Sequence, residues 1–142
     1  MTMSDFLQAC SSGKLSLAQD LYKQGRDVNH RDSDGDTPLM RSIKNKHSPV
    51  SAWLVKLPQV NVMQSVYGGY TALHKACQSG TDIEIIVNII ERGDSELLNM
   101  KGGGRYTPLE YAVRFNHIPA VELLATWPGV DWDYGELQDH AR

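Results

Sequence analysis

Short blocks of apolar residues recur along the chain in pairs, and each pair predicts two short helices. The first block of each pair follows an anchor residue, and the anchors are Ser4, Thr37, Thr71 and Thr107, at spacings of 33, 34 and 36 residues. The second blocks read LSLAQDLYK, PVSAWLVK, IEIIVNIIE and PAVELLAT. A helix pair of this size cannot bury its apolar face alone, so the pattern predicts four units that stack on one another.

Polar and special residues mark where these helices begin and end. A Ser or Thr side chain at each anchor can accept a hydrogen bond from the first free N–H groups of a helix. Pro38 and Pro108 follow at the first helical position, where a missing N–H costs nothing. Glu110, three residues after Thr107, completes a capping box, and Gly80 stands where the first helix of its unit should end.

Several recurring segments carry a family signature. DGDTPLMRSI, GGYTALHKACQSG and RYTPLEYAV resemble the Gly-x-Thr-Pro-Leu-His-x-Ala-Ala-x-x-Gly signature of ankyrin repeats, and DVNHRD resembles the loop that joins them. The period of about 33 residues is also that of the family. The resemblance implies an all-α ankyrin-repeat solenoid of four stacked helix-turn-helix units with short, hairpin-like finger loops.

The resemblance implies a single domain over 1–142. Repeat one (4–32) and repeat four (102–133) are the N-terminal and C-terminal caps, and repeats two and three span 33–65 and 66–101. Residues 134–142 are either a polar tail or the stub of a further repeat. Two departures are visible: Lys46 replaces the usual Gly after the first helix of repeat two, and the glycine-rich finger MKGGGR of repeat four should differ from the standard hairpin.

The composition favours a folded domain that is not a dedicated nucleic-acid binder. The chain has 142 residues, of which 41% are apolar and 22% charged, proportions typical of one globular domain. Its net charge of −3 is opposite to the basic balance usual in nucleic-acid binders. Residues 37–81 contain no Asp or Glu but five Lys or Arg. This is either uneven sampling of a solvated surface or a polarised face that steers an acidic partner.

We expect an intracellular protein, cytoplasmic and/or nuclear, that is monomeric when alone. The first ten residues lack the basic region and the uninterrupted apolar run of a signal peptide. No segment approaches the ~20 apolar residues of a membrane span, so no membrane insertion is expected. Cys10 and Cys77 occupy the same offset two units apart, which should place them too far from each other for a disulfide.

The residues that most suggest chemistry are predicted to be structural. His74 lies three residues before Cys77, but zinc needs three or four ligands and this pair supplies two. The resemblance implies that His74 bonds backbone in the turn. Asp32, Asp34 and Asp36 are spaced like part of a calcium loop, yet the sixth and twelfth positions lack the Gly and Glu of an EF-hand. We expect these acids on a solvated finger, and we expect no cofactor, metal or small-molecule substrate.

The resemblance also implies where a partner binds, because recognition residues in ankyrin repeats fall just before the Thr and just after the Ala-Ala pair. The corresponding residues are Asp34, Asp36, Lys44, Asn45, Tyr67, Tyr70, Gln78, Ser79, Tyr106, Arg114 and Phe115. Tyr and Arg are enriched at interface hot spots, so we predict a protein-binding patch centred on repeats three and four. Alternatively, the finger tyrosines pack on one another and only cap the stack.

The predicted function is a non-catalytic module that binds another protein as a scaffold, adaptor or regulator through its concave surface of fingers and first helices. One alternative is an ankyrin segment of a larger multidomain protein, such as a channel, kinase or ubiquitin-ligase adaptor, that serves assembly or autoinhibition. The other is an enzymatic or metal-dependent activity centred on His74 and Cys77.

Overall fold

The helices form four consecutive pairs. A computed structural model describes residues 4–66, 68–94, 96–103 and 105–130, and eight α-helices lie within these ranges. The pairs are α1 (Asp5–Ser11) and α2 (Leu15–Lys23), α3 (Pro38–Lys44) and α4 (Ser48–Leu54), α5 (Ala72–Ser79) and α6 (Ile83–Arg92), and α7 (Pro108–Arg114) and α8 (Ile118–Ala125). A 3₁₀-helix, Leu97–Asn99, precedes the last pair. The predicted all-α solenoid is confirmed.

Neighbouring pairs pack first helix against first helix and second helix against second helix. Helix α1 contacts α3, α3 contacts α5 and α5 contacts α7, while α4 contacts α6 and α6 contacts α8. Leu73, Ile86, Leu109 and Leu124 are fully buried within the stack. Each pair therefore buries its apolar residues largely against its neighbours, as expected of a repeat protein. None of the described helices has the length and apolar character needed to cross a membrane.

The anchor residues cap the first helices as the sequence predicts. Thr37 Oγ1 accepts a hydrogen bond from the N–H of Met40 at 3.2 Å. Thr107 Oγ1 accepts one from the N–H of Glu110, whose Oε1 in turn accepts the N–H of Thr107 at 3.0 Å. The predicted capping box is thus confirmed. These bonds satisfy N–H groups that have no partner within the helix.

Asparagines in the loops tie repeat one to repeat two and repeat three to repeat four. Asn29 Nδ2 donates to the carbonyl of Gln59 at 2.7 Å, and Asn29 Oδ1 accepts the N–H of Asn61 at 2.8 Å. Asn99 Nδ2 makes the corresponding bond to the carbonyl of Gly129 at 2.9 Å. The hydrophobic–Asn step that recurs in the sequence therefore joins successive loops of the stack.

The turn between the two helices of every repeat contains a left-handed residue, whether or not it is glycine. The residue nine positions after each anchor has a positive φ, and these residues are Gly13 (75°), Lys46 (61°), Gly80 (72°) and Asn116 (56°). A left-handed conformation costs a residue with a Cβ about 1–2 kcal/mol, and Asn tolerates it best. Lys46 therefore preserves the turn of the family at a conformational cost.

A reciprocal exchange at this position tests that cost. We expect Lys46→Gly to raise the free energy of unfolding by about 0.5–1 kcal/mol, because glycine adopts the left-handed region freely. Gly80→Lys should lower it by about 1 kcal/mol, since a Cβ at Gly80 meets nothing within 4 Å and only the backbone conformation opposes the change. Denaturant unfolding measures both variants, and equal effects of the same sign would contradict the assignment.

Candidate functional site

Three positions in each repeat build one surface of the stack. They are the residue directly before the anchor and the fourth and seventh residues after it, and they lie on the finger and on the exposed side of the first helix. They hold Asp36, Arg41 and Lys44 in repeat two, Tyr70, Lys75 and Gln78 in repeat three, and Tyr106, Tyr111 and Arg114 in repeat four. We call the surface formed by the fingers and first helices the finger face.

In repeat two these positions form a closed charge cluster. Asp36 is only 2% exposed, and its Oδ2 lies 3.1 Å from Lys44 Nζ. Arg41 Nη2 lies 2.6 Å from Asp32 Oδ2 and 3.7 Å from Asp34 Oδ2. The expectation that these acids are solvated is wrong for Asp32 and Asp36, whose side chains are buried, and correct only for Asp34. The charges of Asp36 and Lys44, both predicted to contact a partner, are thus engaged with each other.

The acids of this cluster already have cationic partners. Burial alone raises the pKa of Asp32, but the hydrogen bond from Arg41 and those from the N–H groups of Asp36 and Asp34 outweigh it. The pKa of Asp32 therefore lies below its ordinary value, and its carboxylate is ionised at neutral pH. Carboxylate oxygens of all three acids lie within 4.8 Å of one another, as in a cation site, but Arg41 and Lys44 supply the positive charge here.

Three other predicted site residues lie outside this charge cluster. Asn45 Nδ2 donates to the carbonyl of Ser11 at 2.8 Å, so that it joins repeat two to repeat one. Ser79 is half-buried and lines a small cavity of about 160 Å³ between repeats two and three, beside Ser42 and Thr81. Gln78 is exposed on α5. Their role in binding stays a prediction, and Tyr67 lies outside the described residues.

Repeats three and four bring three aromatic rings into contact with the ring of Tyr111. The centroid of its ring lies 5.8 Å from that of Tyr70, 5.9 Å from that of Tyr106 and 5.8 Å from that of Phe115, with which it stacks at an interplanar angle of 20°. We call these four residues the aromatic cluster. Burial raises the pKa of the Tyr111 phenol above its ordinary value, and the neighbouring Tyr70 contributes to the rise. The phenol is therefore neutral at physiological pH.

The ring of Tyr70 packs against the glycine-rich finger of repeat four. A Cβ at Gly102 would lie 2.4 Å from the ring of Tyr70, and one at Gly103 would lie 2.7 Å from its hydroxyl oxygen. The finger closes through an antiparallel bridge between Gly102 and Tyr106, whereas the finger of repeat three closes between Ser65 and Thr71. The finger of repeat four therefore closes over fewer residues than that of repeat three. Only glycine at positions 102 and 103 lets the Tyr70 ring approach the backbone so closely.

Cations lie over two of the tyrosine rings. Lys75 Nζ is 5.7 Å from the ring centroid of Tyr70, and the guanidinium carbons of Arg105 and Arg114 are 5.2 and 4.3 Å from that of Tyr106. Such contacts contribute roughly 0.5–2 kcal/mol each, depending on how far they are desolvated. Lys75 and Arg105 form no salt bridge with any residue that the structure describes.

His74 is structural, as the sequence resemblance implies. Its Nε2 lies 2.9 Å from the carbonyl oxygen of Met100 and 3.1 Å from that of Tyr106, so Nε2 carries the proton and donates it. Its Nδ1 accepts the N–H of Thr71 at 3.1 Å, within the cap of α5. Burial lowers the pKa of His74, opposed by the two carbonyls and assisted by Lys75. The neutral ring therefore links repeat three to the finger of repeat four.

The two cysteines offer no accessible thiolate. Both are free and buried, Cys10 in repeat one and Cys77 in repeat three. Burial raises the pKa of Cys10 to about 12 and that of Cys77 further still. Since both ring nitrogens of His74 are occupied by hydrogen bonds, the His74–Cys77 pair presents neither a free base nor a nucleophile.

The burial of His74 predicts a pH-dependent stability. The folded pKa lies below the unfolded value of about 6.5, so on acidification the unfolded chain binds a proton that the folded chain does not. The free energy of unfolding should therefore fall as the pH falls below about 6.5. His74→Gln should lower stability by about 1–3 kcal/mol at neutral pH and should weaken this pH dependence.

Denaturant unfolding between roughly pH 7 and pH 5 measures the effect. His30→Gln is the matched control, because His30 is exposed and should leave the slope unchanged. A slope that is the same in wild type and His74→Gln would contradict the assignment.

The aromatic cluster contains one residue that the sequence did not single out. Tyr111 occupies the variable x position of the family signature, where repeats two and three have Arg41 and Lys75. The available signal was its spacing from Phe115, because residues four apart on a helix lie on the same side. Arg105 and Lys75 were also missed, since their importance depends on the tyrosine rings beneath them.

A comparison with models of known protein families supports the architecture. Residues 6–99 and 69–134 match the model described as "Ankyrin repeats (3 copies)". The two matches overlap and together cover nearly all of the described chain.

Proposed function

Because the chain belongs to the ankyrin-repeat family, we propose that it binds another protein through the finger face of repeats three and four and catalyses no reaction. Ankyrin repeats are generally protein–protein interaction modules, and repeat stacks provide extended binding surfaces. In this proposal the protein is an intracellular monomer, cytoplasmic and/or nuclear, that acts as a scaffold, adaptor or regulator.

The observation that carries the proposal is the exposure of Phe115. Its side chain remains 48% exposed although its ring stacks on Tyr111. Tyr111 is held in turn by Tyr70 and Tyr106, so Phe115 is presented on a fixed aromatic support. Rigid aromatic groups lose little conformational entropy on binding, which suits them to anchor an interface.

The alternative role of the tyrosines, packing on one another, is compatible with this proposal. Tyr70 and Tyr111 are half-buried and contact each other, so they do stabilise the junction between repeats three and four. Phe115 lies at the edge of the same cluster and is open to solvent. The inner rings therefore support the outer one, and a partner would contact chiefly Phe115 and the neighbouring cations.

The same surface would serve a partner in a separate chain or a further part of a longer protein. The geometry around His74 and Cys77 argues against the enzymatic alternative. Both side chains are buried, and both ring nitrogens of His74 are engaged in hydrogen bonds. Because Arg41 and Lys44 of repeat two are paired within the protein, the proposal assigns binding chiefly to repeats three and four.

Phe115→Ala tests the proposal. A partner isolated by affinity capture with the wild-type protein is titrated against purified variants, and we expect Phe115→Ala to weaken binding by about tenfold or more. Leu17→Ala is the matched control, because Leu17 is 46% exposed and lies on α2 in repeat one, outside repeats three and four. Both variants remove an exposed apolar side chain, so both should unfold at nearly the wild-type denaturant concentration. A partner that is weakened by Leu17→Ala and not by Phe115→Ala contradicts the proposal.

A further inference from the structure

We infer that the partner presents an acidic peptide segment, whose carboxylates meet Lys75 and Arg105 and whose apolar side chain packs on Phe115. The inference rests on the proposed function and specifies the chemistry of the partner. It follows from the distribution of compensated and uncompensated charge on the finger face.

The two finger-face cations of repeat two are neutralised within the protein. Lys44 pairs with Asp36 at 3.1 Å, and Arg41 pairs with Asp32 at 2.6 Å. Although residues 37–81 lack acids in the sequence, the acids of the preceding finger fold back onto these two cations. Repeat two therefore offers an incoming carboxylate little uncompensated charge.

Repeats three and four have the opposite character. Their fingers and first helices, residues 65–79 and 100–114, contain four basic residues and a single acid. The acid is Glu110, which is buried and accepts the N–H of Thr107. The basic residues are Lys75, Lys101, Arg105 and Arg114. No salt bridge of Lys75, Lys101 or Arg105 occurs among the residues that the structure describes.

Exposed acids in the part of the chain that the structure describes lie on other surfaces. The second helices carry exposed acids, and these are Asp20 on α2, Glu84 and Glu91 on α6, and Glu122 on α8. A chain with a net charge of −3 thus has a positive finger face at repeats three and four. A surface of one sign attracts and orients a partner segment of the opposite sign.

The tyrosine rings prepare the cations for carboxylate binding. Arg105 lies over Tyr106, and Lys75 lies over Tyr70, so these two side chains are positioned before a partner arrives. Contact with a ring face leaves the N–H groups of a guanidinium free to donate in its plane, and this geometry suits a carboxylate. The exposed Phe115 supplies an apolar contact beside them. Acidic groups flanking an apolar residue match this arrangement.

A nucleic acid is the competing polyanion, because aromatic rings and cations also bind single strands. The exposed acids of the second helices oppose a long polyanion, whereas a short acidic segment needs only the finger face. The favoured occupant is therefore a protein segment, and the test includes RNA as a contradicting result.

Fluorescence anisotropy with labelled probes tests the inference on the complete chain. The probes are a peptide in which Glu and Asp flank one Leu and one Phe, the same peptide with Gln in place of every acid, and a single-stranded RNA oligonucleotide. The acidic peptide should bind at least about tenfold more tightly than the Gln peptide, and its affinity should fall as salt is added.

Charge-removing variants locate the site. Lys75→Gln combined with Arg105→Gln should weaken the acidic peptide about tenfold. Lys23→Gln combined with Lys56→Gln is the matched control, because it removes the same charge from two exposed lysines on or just after the second helices. That control should bind like the wild type, and denaturant unfolding confirms that both double variants are folded.

Several results would overturn the inference. These are no binding of the acidic peptide at ~1 mM, equal binding of the Gln peptide, equal weakening by the control pair, or tighter binding of the RNA. If the acidic and Gln peptides bind equally well and both lose affinity for Phe115→Ala, the preference for acidic segments is disproved. The proposed function is then still supported. If the captured partner is also insensitive to Phe115→Ala, the proposed function itself fails.

Discussion

The hydrogen bonds of His74 determine where the aromatic cluster lies. Nδ1 of this residue belongs to the cap of α5, and Nε2 holds the carbonyls of Met100 and Tyr106 in the next finger. One buried ring thereby fixes the finger of repeat four relative to the first helix of repeat three. Tyr70 and Tyr106, on either side of this link, both meet Tyr111. A residue that first suggests catalysis thus provides the framework on which the aromatic cluster is built.

A constant framework with variable positions explains how the repeats differ. Every repeat keeps the cap and the left-handed turn, because these satisfy backbone groups that every helix pair exposes. The three finger-face positions are free of those requirements. In repeat two they hold an acid and two cations, which pair with one another and with Asp32, whereas in repeat four they hold two tyrosines and an arginine. The same geometry therefore produces a closed charge cluster in one repeat and part of the aromatic cluster two repeats away.

The fold could be predicted from the sequence because its determinants are local and repeat at a fixed period. Thr107 and Glu110 signal a capping box within four residues, and Gly80 marks the end of its helix. The site could be predicted only in part, because its chemistry arises between distant residues. The position of Tyr70 depends on Gly102 in the next finger, and Tyr70 meets Tyr111 of the next repeat. A pattern within one repeat does not report such contacts between repeats.

The central claim is that binding occurs on the finger face of repeats three and four, and backbone amide NMR tests it most directly. The acidic peptide is added to the isotope-labelled protein, and the shifts of assigned amide signals are mapped along the chain. The account predicts the largest changes around Lys75, Arg105 and Phe115, with little change at Asp36 and on the second helices. Changes that instead centre on repeats one and two, or on the second helices, would contradict it.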